Sequence, residues 1–338
     1  MNALLIGSTM RNLTDKFKVP REILAYITNS TGATVSVLIP FSSWAVFLMG
    51  LYGSTELNDG NGFVTYVQSI PYLIYPMVAL LITLLFIYKK VPMTKYVKEA
   101  NARAESGNLF PDGTLNEAKD LEEQIEENNK NTKKPRLINF ILPIIVLVVG
   151  TILFDMDLII GVILAIITSF ILYRVNKTMT YQELYHSSVK GIQDMVELIV
   201  LIVFIFLLVR INENLGTIEY VITTVEPIIT PMLLPGITLL VVAFLGFTTG
   251  NFWGTMGIVL PIVLPLAESG GVSIPLVLGA MVSGGVFGSH VCFFGDAVTL
   301  SSASTQVSNM SQIRVSLPYA ISGLLISFII YFVLGFIV

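Results

Sequence analysis

Gly246-Phe247-Thr248-Thr249-Gly250-Asn251-Phe252-Trp253-Gly254-Thr255-Met256-Gly257 interrupts an apolar run, and Pro261 and Pro265 follow it. Glycine permits non-helical backbone angles and close approach to a ligand. Proline removes an amide donor and frees a carbonyl upstream. Within a bilayer, such irregular backbone is tolerated only where it is buried in protein or lines a cavity. Two other stretches share this character. Asn29-Ser30-Thr31-Gly32-Ala33-Thr34 leads to Pro40 and Ser42-Ser43-Trp44. Ser283-Gly284-Gly285-Val286-Phe287-Gly288-Ser289-His290 leads to Gly295-Asp296 and then to Thr299 through Thr305. Close helix packing through small residues produces a similar composition. Two long polar stretches in one half of the chain point instead to discontinuous helices, whose ends and freed carbonyls hold ions.

The surrounding sequence places these stretches in a membrane. Of the 338 residues, 54% are hydrophobic and 12% charged, about half the charge density of a soluble domain, which is roughly 25%. A bilayer core needs about 20 mostly apolar residues as helix. Stretches that meet this run from Thr34 to Tyr52, Ile70 to Tyr88, Ile138 to Phe154, Leu158 to Tyr173 and Gly191 to Val209. Further ones run from Ile228 to Phe247, Gly254 to Ala267, Ile274 to Phe294 and Pro318 to Val338. They are continuous rather than alternating, which excludes a barrel. The expectation is an all-α polytopic transporter with broken helices and about eight or nine membrane segments.

The first two broken stretches share an order: Thr-Gly, a polar residue, an apolar run, then proline. Trp44 and Trp253, the only tryptophans, sit on opposite sides of those prolines. This suggests inverted-repeat-like halves. Residues 1–90 form the end of a first transport half with two membrane segments, 91–137 a hydrophilic loop, and 138–338 the second half. Ten of 19 Lys and Arg and nine of 23 Asp and Glu lie between Lys89 and Arg136. That segment reads as a solvated, partly helical loop. The first thirty residues carry Arg11, Lys16, Lys18 and Arg21 without a secretory core, and read as a connecting segment with Leu13, Phe17 and Leu24 at the interface. The positive-inside rule places the N-terminus and the 91–137 loop in the cytoplasm, in a chain of the cell membrane.

Ionisable side chains in a membrane are costly and mark function. The candidates are Asp296, amid Gly, Ser, Thr and Ala, the pair Asp194 and Glu197 on one helix face, and His290. A buried carboxylate can hold a proton or a cation in turn, and histidine can join a proton path. Oxygen ligands suit an alkali cation better than a transition metal. His290, Cys292 and Asp296 lack zinc-type spacing, and Ser301 or Ser302 with His290 and Asp296 lacks a nucleophile elbow. Neither enzyme reading survives. No basic stripe suggests nucleic acid, and one cysteine excludes an internal disulfide.

Thr249-Gly250-Asn251-Phe252-Trp253-Gly254-Thr255-Met256-Gly257-Ile258-Val259-Leu260-Pro261 resembles a pattern of the NhaC family of sodium/proton antiporters. Ser283 through Cys292, Gly295-Asp296 up to Leu300-Ser301-Ser302, and Leu317-Pro318-Tyr319-Ala320 resemble other family motifs, as does Leu24-Ala25-Tyr26-Ile27 through Trp44. The resemblance implies sodium/proton antiport without a cofactor. It implies a site of Thr249, Asn251, Thr255 and Asp296 facing Asn29 and Thr31, with His290, Asp194 and Glu197 as proton-path candidates. The chain departs from the family where Ser289 and Asn29 replace acids and where Asp296 is not followed by a Thr pair. Those departures leave open altered ion choice, or a carrier of a small organic anion or amino acid. Family members are longer at the N-terminus, so the chain is expected to be a fragment or one part of a split transporter, with a homodimer or a separate chain supplying the opening helices. A non-transporting membrane subunit is the rival from another class.

Overall fold

The computed structural model describes residues 2–55, 57–111, 138–154, 158–176, 179–216, 220 and 230–337. Among these the chain is helical, with no strand. The acidic run Asp120 to Glu127 and the Asp155-Met156-Asp157 turn lie outside the described residues.

The first half opens with α1 (Asn2–Lys16), α2 (Arg21–Leu38) and α3 (Ser43–Gly53). α2 and α3 together make an apolar span of 33 residues, Arg21–Gly53, with a break at 39–42. α4 (Gly62–Ser69), continued by a turn at Ile70–Tyr72, and α5 (Ile74–Ile87) form a broken apolar pair bent by 48° at Leu73. α6 (Lys95–Glu105) follows. In the second half come α7 (Ile138–Leu153), α8 (Leu158–Val175) and the long α9 (Tyr181–Asn214). Then come α10 (Leu234–Thr249), α11 (Phe252–Gly270), α12 (Ile274–Val291), α13 (Asp296–Thr305) and α14 (Asn309–Leu334). Five described helices are long and apolar enough to cross a membrane, and the bent pair makes a sixth. α7 and α8 are shorter apolar helices packed on each other.

The N-terminal segment is more structured than its charges suggest. α1 packs on α13 and α2, with Gly7 so close to Ser304 that a side chain would collide. α2 begins at Arg21, well before the apolar run, because its two terminal charges are paired. Arg21 bonds Asp15 at 2.6 Å and lies over the Phe110 ring at 5.0 Å. Glu22, fully buried, pairs with Arg103 of α6. Leu24 is buried rather than interfacial, whereas Leu13 and Phe17 are exposed.

The start of the hydrophilic segment is likewise docked rather than solvated. Thr94 caps α6 at Val97 N, 3.3 Å away. Val97, Ala100 and Ala104, spaced for one helix face, are wholly buried. Lys18 donates to the Glu105 carbonyl at 3.0 Å, and Tyr319 of α14 to the Pro92 carbonyl at 3.1 Å. α6 therefore closes one end of the bundle formed by α2, α5 and α14.

α10 and α11 form a hairpin, since Gly270 at the end of α11 returns to Pro231 just before α10. Its corner is Gly250, with φ of +65°, a left-handed conformation that a side chain disfavours. A Cβ there would also meet the Phe294 ring at 2.7 Å. The break at 250–251 thus packs on the break at 292–295. α10 crosses α12 backbone to backbone: a Cβ on Gly288 would lie 2.5 Å from the Gly246 carbonyl carbon. The main core gathers where α12 meets α10, α11 and the first half, around Met256, Val286, Leu48 and Tyr75.

Candidate functional site

α2 presents a polar stripe of small residues along one side. Thr28, Gly32 and Ser36 recur every four residues, with Asn29 and Ala33 beside them, and all five line a cavity of about 300 Å³. Ser43 and Trp44 at the start of α3, Trp253 of α11, and Asp296, Ala297 and Leu300 of α13 complete its wall.

Two of these contributors arrive by the same local device. Ser42 caps α3, its hydroxyl accepting from Ala45 N at 3.0 Å, and Asn251 caps α11, its side chain accepting from Gly254 N at 3.0 Å. In each helix a tryptophan follows two residues after the cap. The indoles of Trp44 and Trp253 meet with centroids 5.5 Å apart, and Trp44 lies 4.2 Å from the Phe252 ring. The starts of α3 and α11 thus share a cap and a tryptophan and meet through the two indoles.

Asp296 is the single charged residue on this wall. It occupies the first turn of α13, exposed, with Oδ1 accepting from Ala297 N at 2.7 Å. A carboxylate there is favoured by the helix dipole. No basic side chain among the described residues pairs with it. Asn29 is 2% exposed, and its Nδ2 donates to the His290 carbonyl at 3.2 Å. A carbonyl only accepts, so the amide orientation is fixed and Oδ1 is the atom left over. Asn29 Oδ1 and Thr28 Oγ1 are buried without a partner among the described residues, an arrangement native structures seldom leave unexplained.

His290 lies outside this cavity, on a second void of about 10 Å³ lined also by Tyr26, Ser30, Ser316 and Tyr319. That is room for about one water. His290 Nδ1 bonds the Tyr75 hydroxyl at 3.0 Å, and Nε2 has no partner among the described residues. Asn29 joins the two spaces, lining the larger and bonding the residue that lines the smaller.

Four of the expected site residues are not on the cavity. Thr31 lies two positions from Asn29, about 200° around the helix, and its hydroxyl donates to Ile27 O at 2.7 Å. Thr249 donates to Leu245 O at 2.8 Å and Thr255 to Asn251 O at 2.7 Å, with their hydroxyls 3.2 Å apart. Asn251 is spent as the α11 cap. These three build the corner that holds Trp253 rather than the wall itself. The side chains of Asp194 and Glu197 lie outside the described residues, although both positions are on α9. Arg314 is also away from the cavity, 5.9 Å over the Tyr96 ring of α6. Among the described residues, no three His, Cys, Asp or Glu side chains group as a metal site.

The sequence reading did not name Thr28, Ser36, Ser43 or the two tryptophans as wall residues. The four-residue recurrence of Thr28, Gly32 and Ser36 was the available signal.

A helical membrane chain with broken, capped helices meeting at one carboxylate is the frame in which the comparisons fall. The model of the Na+/H+ antiporter family matches residues 35–336. The chain belongs to the Na+/H+ antiporter family. The matched span includes Trp44, Trp253 and Asp296 and begins just beyond Thr28 and Asn29. The antiporter-family chain is 27% identical to an uncharacterized protein of Haemophilus influenzae, across 99% of this chain and 68% of that protein. It is 26% identical to the malate-2H(+)/Na(+)-lactate antiporter of Bacillus subtilis, across 54% of this chain and 43% of that protein. The chain therefore spans less than half of the Bacillus protein. No solved structure matches it.

Proposed function

We propose that this integral membrane protein is a secondary active transporter exchanging sodium for protons at the cavity between α2, α3, α11 and α13. The observation that carries the reading is Asp296: one carboxylate without a basic partner, on a cavity where the α3 and α11 starts meet. A carboxylate that binds a proton or a sodium ion, but not both, makes the two fluxes mutually dependent. Asn29 and Thr28 offer the further oxygens that a hard cation requires. Movement of the α10–α11 hairpin against α2–α3 would open the cavity to either side in turn. His290 and its water-sized void extend the polar path from Asn29 toward the end of the bundle closed by α6.

The cavity volume also supports a second reading, coupled movement of a small organic solute. Small-molecule pockets span roughly 300–1,000 Å³, and this one reaches that range, beyond what an alkali ion alone requires. Lys18, Glu22, Arg103 and Glu105 meet at one end of the bundle, which supports a shared cytoplasmic side for the N-terminus and the 91–137 loop.

The test is sodium-driven proton movement in proteoliposomes. The unaltered chain is expected to dissipate a pH gradient when sodium is added, and Asp296→Asn to lose that response. Full activity in Asp296→Asn would remove the carboxylate from the mechanism.

A further inference from the structure

The formal charge on the cavity wall is of one sign. The wall carries one negative charge, Asp296, and no Lys, Arg or His. Asn29 donates one amide N–H to the His290 carbonyl, and its buried Oδ1 is left as an unpartnered acceptor among the described residues. Thr28 keeps an unpartnered hydroxyl, buried to within 1% of full burial. Trp44 and Trp253 add two indoles, and a ring face attracts a cation while repelling an anion. The volume of about 300 Å³ exceeds a bare ion's needs and falls at the lower limit for organic ligands.

Resting on the transport reading of this same site, we infer that the organic solute the cavity accepts carries an ammonium group rather than a dicarboxylate. The ammonium sits against Asp296 and the acceptors of Asn29 and Thr28, with its methylene or methyl groups on the indoles. A sodium ion and the ammonium compete for the same oxygens. A dicarboxylate meets Asp296 as a like charge with no basic residue on the wall to offset it.

The chain supplies its own reporter, because its only two tryptophans both line the cavity. Purified full-length protein in lipid nanodiscs is titrated, at constant ionic strength, with tetramethylammonium chloride, L-alanine, malate and sodium chloride, and tryptophan emission is followed. A saturable change with tetramethylammonium or alanine, displaced by sodium, is the expected result. The first would indicate a simple or quaternary amine and the second an amino acid. Asp296→Asn should abolish the change, and Trp253→Phe should weaken binding roughly tenfold as read from the remaining Trp44. Thermal melting of each variant establishes that it is folded. Saturation by malate with no amine response overturns the inference. A response to sodium alone also overturns it, while leaving sodium/proton antiport intact. Silence toward all four probes, with sodium-driven proton movement retained in proteoliposomes, likewise overturns it.

Discussion

Trp44 and Trp253 occupy equivalent places, each two residues after a side-chain cap, and their indole centroids are 5.5 Å apart across the junction of the two broken helices. Aromatic pairs contribute about 0.5–1.5 kcal/mol beyond the area they bury. A double-mutant cycle of Trp44→Ala and Trp253→Ala, read by denaturation in detergent, should show coupling of that size. Strict additivity would mean that the rings are neighbours without mutual stabilisation.

The crossing of α10 and α12 leaves no room for a side chain at Gly288, which faces the Gly246 backbone. Gly288→Val should destabilise by at least about 1–3 kcal/mol through overpacking. Gly191, with open space around it on α9, is the contrasting site. Gly191→Ala should be neutral or stabilising by about 0.4–1 kcal/mol. Melting temperatures of the two variants in the same micelles compare them directly.

Arg103→Ala leaves the Glu22 carboxylate buried without a counter-charge. Breaking such a pair costs about 3–5 kcal/mol. Hydrogen exchange across residues 95–105 should rise strongly, and a protease should cut there first. Adding Glu22→Gln to Arg103→Ala should recover much of the loss, since no charge then remains to be solvated. Unchanged protection of α6 in the single variant would show that its apolar stripe alone holds it down.

Asn29→Asp exchanges the donor to the His290 carbonyl for an acceptor. The lost bond and the opposed oxygens should destabilise the sodium-free protein by about 1–3 kcal/mol. The added carboxylate should at the same time raise sodium affinity, so sodium should raise the melting temperature more in this variant than in the parent. Equal sodium shifts in the two proteins would place the bound ion away from Asn29.

The membrane fold was legible because long apolar runs have few alternatives, and the broken helices because glycine and side-chain oxygen stand out inside such runs. Asp296 and Asn29 stand out for the same reason, and both line the cavity. Sequence could not show that Glu22 is neutralised from 81 residues away, so α2 was begun too late and the partly helical segment holding α6 was read as solvated rather than docked. Thr249, Asn251 and Thr255 were expected on the same wall because caps and corners use the same hydroxyls and amides as ligand sites; they lie beside it. Only the fold decides which of them are already satisfied. Thr31 was chosen for its polarity, while the helical period favours Thr28, Gly32 and Ser36.

The pairing of Glu22 with Arg103 also sets an order of events during synthesis. Chains grow from the N-terminus, so Glu22 leaves the ribosome well before its counter-charge has been made. Until then the carboxylate has only water to offset its charge, and the buried seat of Glu22 cannot form. The span Arg21–Gly53 therefore reaches its final packing only once a short polar helix more than forty residues further along has been translated.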